Sequence, residues 1–127
     1  ERNSKIPDFI CCWTEEYFHK SAFDIPIKYP GKKVINFLSQ FKKSKIVRLY
    51  RGVNKYNKNN KFITSWTYDK KIAQNYIYKD GKVVEKEFFP ENILLDTTVL
   101  DKDQRVSLGY DYKIDDKEVL IVKSQNN

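Results

Sequence analysis

The sequence predicts an α+β domain: two packed, mainly antiparallel sheets flanked by N-terminal helices. Three observations carry this. Apolar residues recur at spacings of three and four as far as Phe41, as on a helix face. From Ile46 onward the pattern changes to short runs of Val, Ile, Tyr and Phe with two-residue alternation. Turn-forming clusters separate those runs. At 127 residues the chain reads as one domain, 1–127, with a helical lead-in over 1–45 and a core over 46–123.

The first helix is expected from the stripe Ile6, Phe9, Ile10, Trp13, Tyr17 and Phe18, with Ser4 as its cap and Pro7 in its first turn. Residues 24–31 hold Pro26, Pro30 and Gly31 and break it. A second helix follows, with Val34, Phe37, Leu38 and Phe41 on one face and Lys42 and Lys43 at its end, where cations suit the helix dipole. Residues 45–51 read as a strand, 54–61 as a polar loop, and 62–66 as a second strand. Asp69 is placed to cap a short helix that turns Ile72, Ala73, Tyr76 and Ile77 inward. Asp80-Gly81 marks a turn, and 82–89 alternates as a strand should. Pro90 to Asn92 ends that strand. Residues 93–96 form another, 109–116 a loop, and 119–122 a buried last strand.

Composition narrows the function. No apolar run approaches the ~20 residues of a membrane-spanning helix, so no membrane partner is expected. The adjacent Cys11 and Cys12 are expected to be reduced thiols in a helix, because a bond between neighbours is strained; this favours a reducing, cytoplasmic setting. One histidine and no second cysteine pair argue against zinc. The chain starts at Glu1 rather than Met, as a processed or trimmed product would. Net charge is +7 and uneven. Residues 1–53 carry eleven Lys/Arg against five Asp/Glu, whereas 91–127 carry five against eight. Such a dipolar surface suits an anionic cofactor, a nucleic acid or an acidic protein face.

Three segments carry candidate chemistry. In Leu49-Tyr50-Arg51-Gly52, a strand arginine offers a planar fork that pairs bidentately with phosphate, and Gly52 lets a ligand approach the backbone. In Thr64-Ser65-Trp66-Thr67, Ser65 and Thr67 share one strand face and Trp66 takes the other, toward the core. Ser65 is then placed to contact a ribose or orient a carboxylate, and Thr67 to brace the strand or cap the next turn. In Asp116-Lys117-Glu118-Val119, Glu118 stands at the mouth of a buried strand. A glutamate fixed there can bond a ribose 2′-hydroxyl and stabilise positive charge on the sugar as a glycosidic bond breaks. Asp116, on the same face, can orient an acceptor or take its proton. Glu85 and Glu87 have the same spacing but lie mid-strand, where a solvated face accounts for them.

An arginine, a Ser-x-Thr element and a glutamate in this order, across 46–123, resemble the Arg-Ser-Glu branch of the mono-ADP-ribosyltransferases, which includes bacterial toxins and phage enzymes. The resemblance implies an enzyme that takes NAD as co-substrate, releases nicotinamide and transfers ADP-ribose to a protein side chain or to RNA or DNA. It implies no metal. By position, Arg51 matches the arginine that binds NAD phosphate, Ser65-Trp66-Thr67 the Ser-Thr-Ser element with Trp66 in its middle, and Glu118 the invariant glutamate. The loop 108–115 matches the acceptor-recognising turn, with Tyr110 or Tyr112 as its aromatic. Asp116 stands where the family has Glu or Gln, which leaves the acceptor open. A toxin or phage effector of this size is expected to have an inhibitory antitoxin partner. Two alternatives remain: an NAD glycohydrolase, and a non-catalytic basic module binding nucleic acid or protein, whose Tyr and Phe between lysines stack on single strands.

Overall fold

The computed structural model describes residues 6–23, 25–54, 62–77, 81–110 and 116–123. The expected Ser4 cap, Tyr112 and most of the 54–61 loop lie outside them. Helix α1 (Asp8–Ala22) begins later than expected, with Pro7 at its N-cap rather than inside its first turn. Helix α2 (Lys32–Leu38) stops short of Phe41. Lys42 and Lys43 therefore lie beyond its last turn, where the dipole no longer favours them. Lys42 instead donates to the Pro90 carbonyl at 2.9 Å, and Lys43 sits over the Tyr68 ring. Both cysteines are free; Cys11 packs against the core and Cys12 is exposed, as expected of thiols in this helix.

Strands β1 (Val47–Val53), β2 (Ile63–Thr67), β3 (Lys82–Phe88), β4 (Ile93–Asp96) and β5 (Glu118–Val122) form one antiparallel sheet in the order β3-β1-β2-β5-β4. The fold is α+β as expected, but one five-stranded sheet replaces the two packed sheets. The reason is visible in the core. Helices α1 and α2 supply the second layer, packing Ile10, Val34 and Leu38 with Ile63, Leu95, Leu120 and Val122 from one sheet face. The other face closes on Val47, Leu49, Ile93, Val119 and Ile121, with Trp66 set edge-on against Phe88. The apolar alternation marks two faces of one sheet, not the inner faces of two.

Helix α3 (Lys70–Gln74) is capped by Asp69, whose carboxylate accepts from the Lys71 amide. Tyr76 lies in the turn after it and is half exposed rather than buried. Helix α4 (Lys102–Ser107) was not expected. Its signal is the capping box Asp101-x-x-Gln104, in which Asp101 accepts from the Gln104 amide and Gln104 returns a bond to the Asp101 amide. The apolar residues around it are too few to show a helical stripe.

Candidate functional site

The site forms where β1 and β2 part. They share one bridge, Tyr50 opposite Thr67. Phe62 and Tyr68 bond to β5, through Lys123 and Lys117, so alternation in the ladder turns the Ser65 backbone toward β1. The Arg51 guanidinium reaches across and donates from Nη1 to the Ser65 carbonyl at 2.8 Å. Arg51 is thus held at the mouth of the gap and is nearly buried.

Across β2 and β5, Thr67 faces Glu118 and Ser65 faces Leu120, so Ser65, Thr67 and Glu118 share a sheet face. The Ser65 hydroxyl donates to Oε2 of Glu118. Trp66 takes the opposite face and enters the core, as expected. Thr67 performs both anticipated roles: its hydroxyl donates to the Asp116 carbonyl at 2.7 Å and accepts from the Asp69 amide at 3.1 Å. It ties the segment before β5 to the start of α3. Lys117 has φ 50, a left-handed conformation that a lysine adopts at some cost. This turn delivers Glu118 into the strand. The buried Thr97 hydroxyl then donates to the Glu118 carbonyl at 2.7 Å.

A cleft of about 160 Å³ brings together Tyr50, Arg51, Ser65, Tyr76, Asp116 and Glu118. Arg51, Gly52, Ser65, Trp66, Thr67, Asp116 and Glu118, which the sequence singled out separately, all line it. Gly52 also has a packing reason that its sequence context does not show. A Cβ there would stand 2.2 Å from the Ala73 carbonyl oxygen and 3.0 Å from the Tyr76 Cβ. The glycine admits the backbone of α3. Ala73 is small and fully buried for the same close approach. Asn54 completes the corner by donating to the Tyr76 carbonyl at 2.7 Å.

Burial pushes the Glu118 carboxyl above the usual range, and Asp116 adds to this. The hydroxyls of Ser65 and Tyr110 pull the other way. Tyr110 packs edge-on against Phe18, and its buried hydroxyl makes no well-formed hydrogen bond. It lines a second cavity of about 250 Å³ that reaches Glu118 from the side of Phe18 and Arg105. The aromatic expected to meet an acceptor is therefore beside the carboxylate.

Two tyrosines escaped the sequence reading as site residues. Tyr17 of α1 is buried with its hydroxyl beside those of Ser21 and Ser65; burial first, then Glu118, raise its pKa far above the ordinary value. Nothing in the sequence links residue 17 to residue 118. Tyr76 offers its ring to the cleft, and burial, Asp116 and Glu118 raise its pKa. The competing carboxylates, Glu85 and Glu87, are exposed on β3 and pair with Arg48 at 2.6 and 2.9 Å. Among the described residues, no group of three or more His, Cys, Asp or Glu is placed to hold a metal ion, and no helix is long and apolar enough to cross a membrane. Comparison with protein-family models, curated proteins and solved structures finds no match to this chain.

Proposed function

We propose that this chain is an NAD-dependent mono-ADP-ribosyltransferase that cleaves the nicotinamide–ribose bond and passes ADP-ribose to a protein side chain or a nucleic acid. The observation that carries the reading is the linked set Arg51, Ser65 and Glu118 in one cleft, joined by the Arg51 bond to the Ser65 carbonyl and the Ser65 bond to the Glu118 carboxylate. The cleft is smaller than the ~300–1,000 Å³ that encloses a whole drug-sized ligand. It suits one end of NAD.

In this reading the Arg51 fork pairs with the pyrophosphate. The Tyr76 ring lies against the nicotinamide. Ser65 holds Glu118 in one orientation, and the ionised Glu118 accepts from the ribose 2′-hydroxyl. The bond from C1′ to the ring nitrogen breaks with its electron pair going to nicotinamide, which leaves neutral. The positive charge that develops on the ribose is stabilised by Glu118. An acceptor heteroatom bonds to C1′ and gives its proton to Asp116, the nearby exposed carboxylate. Water in the acceptor's place makes the same site a glycohydrolase. A toxin or phage effector acting in a cytoplasm, held in check by an inhibitory partner, is the setting we propose.

The test is nicotinamide release from NAD by the wild type and by Glu118→Gln and Ser65→Ala, with labelled NAD followed onto lysate protein and RNA. Release by the wild type, reduced at least 100-fold in Glu118→Gln, supports the reading. Equal release by wild type and Glu118→Gln refutes it.

A further inference from the structure

A separate groove of about 260 Å³ lies between α1 and residues 27–31, walled by Trp13, Lys20, Lys28 and Tyr29. It shares no lining residue with the Arg51–Glu118 cleft. Its walls are fixed in place. The Ile25 amide donates to the Lys20 carbonyl at 2.8 Å, which turns the chain back at the end of the helix. Ile27 then anchors the segment in the core. Trp13 stacks nearly parallel on Tyr17, with ring centroids 5.6 Å apart, and Tyr29 meets Phe62 edge-on at 6.0 Å. These neighbours hold both rings, yet each ring is only partly buried. Gly31 ends the segment at an ordinary φ of -66, and a Cβ there would meet no atom within 4 Å. Space beside the wall is therefore open.

The rim is cationic. Lys28 is exposed, and so are Lys32 and Lys33 just beyond Gly31. Among the described residues, no acidic side chain pairs with any of the three. Glu16, also on the wall, is taken up by Lys20 at 3.3 Å. The groove is smaller than the ~300–1,000 Å³ of a drug-sized site, so it suits one flat ring system. An acidic peptide would answer the lysines but leave the rings without a partner. In a duplex the base faces are covered by their neighbours. An unpaired nucleobase with its flanking phosphates answers both the rings and the charges.

We infer that this groove is a docking surface for single-stranded nucleic acid. One base lies against Trp13 and Tyr29, and the flanking phosphates face Lys28, Lys32 and Lys33. The surface goes beyond the NAD reading of the cleft and does not depend on it.

The experiment is fluorescence anisotropy with a labelled oligothymidylate of about 12 nucleotides, a length one small domain can track. The expected result is saturable binding that weakens as salt rises. Lys28→Glu should weaken it at least tenfold. Lys86→Glu makes the same charge change on β3, at one edge of the sheet, and should weaken it less than twofold. Both lysines are exposed, so neither variant threatens the fold. Tryptophan emission should fall on binding, because Trp13 lines the groove while Trp66 is buried in the other sheet face. No saturable binding overturns the inference. Equal affinity for the duplex with oligoadenylate, or equal weakening in the two variants, also overturns it, since either shows attraction by net charge alone. Tighter binding of a labelled oligoglutamate of the same charge gives the surface to an acidic protein instead. Nicotinamide release from NAD is measured on the same preparations and should be equal in Lys28→Glu and the wild type. Cleavage without oligonucleotide binding overturns this surface alone. Oligonucleotide binding without cleavage supports the surface and sinks the transferase reading.

Discussion

Gly52→Ala separates two explanations of one residue. If Gly52 serves ligand approach, alanine should fold normally and bind poorly. The contacts give the opposite expectation. The new Cβ would sit 2.2 Å from the Ala73 carbonyl oxygen, which belongs to backbone and cannot rotate away. Restoring an ordinary contact moves α3 by about 1 Å away from β1. Overpacking of this kind costs about 1–3 kcal/mol, against a gain of about 0.4–1 kcal/mol from a less flexible unfolded chain. The net loss is about 1–2 kcal/mol, or roughly 3–10 °C in Tm for a domain of this size. Thermal unfolding followed by circular dichroism reads it directly. A Tm within 1 °C of the wild type, with weakened nucleotide binding, would show that the glycine serves the ligand and that α3 does not hold the cleft as described.

Other outcomes follow from the same geometry. Glu118 has a raised carboxyl pKa, so its stabilising contribution is full below the unfolded value and is lost as pH rises through the folded one. Glu118→Gln should therefore unfold at a higher temperature than the wild type at pH 8, with the gap closing toward pH 4; a pH-independent difference contradicts this. NAD cleavage should rise with pH as Glu118 ionises, and Tyr110→Phe, which removes a nearby hydroxyl that lowers its pKa, should move that rise to higher pH; an unchanged profile in Tyr110→Phe shows that the phenol does not act on Glu118. Arg51→Ala should cost about 1–3 kcal/mol in urea unfolding, because the partly buried Ser65 carbonyl loses a charged donor; a change under 0.5 kcal/mol refutes that role.

What the sequence made legible were local periods and caps. The helix α1, the Asp69 cap and the strand β3 depend on neighbours a few residues away, and all three appear, but Phe9 of the expected α1 stripe is exposed and β3 buries Phe88 alone instead of every second residue. The placing of Ser65 and Thr67 on one face and Trp66 on the other followed from strand geometry alone. The number of sheets did not, because one sheet with two apolar faces reads like two sheets with one each. The packing role of Gly52 was equally hidden, since it depends on Ala73, twenty-one residues on. Tyr17 reaches the site only through the packing of α1 over β2 and β5, a long-range contact that leaves no trace in spacing. Helix α4 could have been read from Asp101-x-x-Gln104, a capping signal that needs no apolar stripe.

The central claim is that the Arg51–Ser65–Glu118 cleft breaks the nicotinamide–ribose bond of NAD. Nicotinamide release by purified wild type and Glu118→Gln, with lysate protein and RNA present and absent, tests it most directly. The account predicts release by the wild type, at least 100-fold less from a Glu118→Gln that is folded and no less stable, and label on a lysate acceptor. No release under any condition from a well-folded wild type would contradict the account and leave a basic, aromatic-rich binding domain.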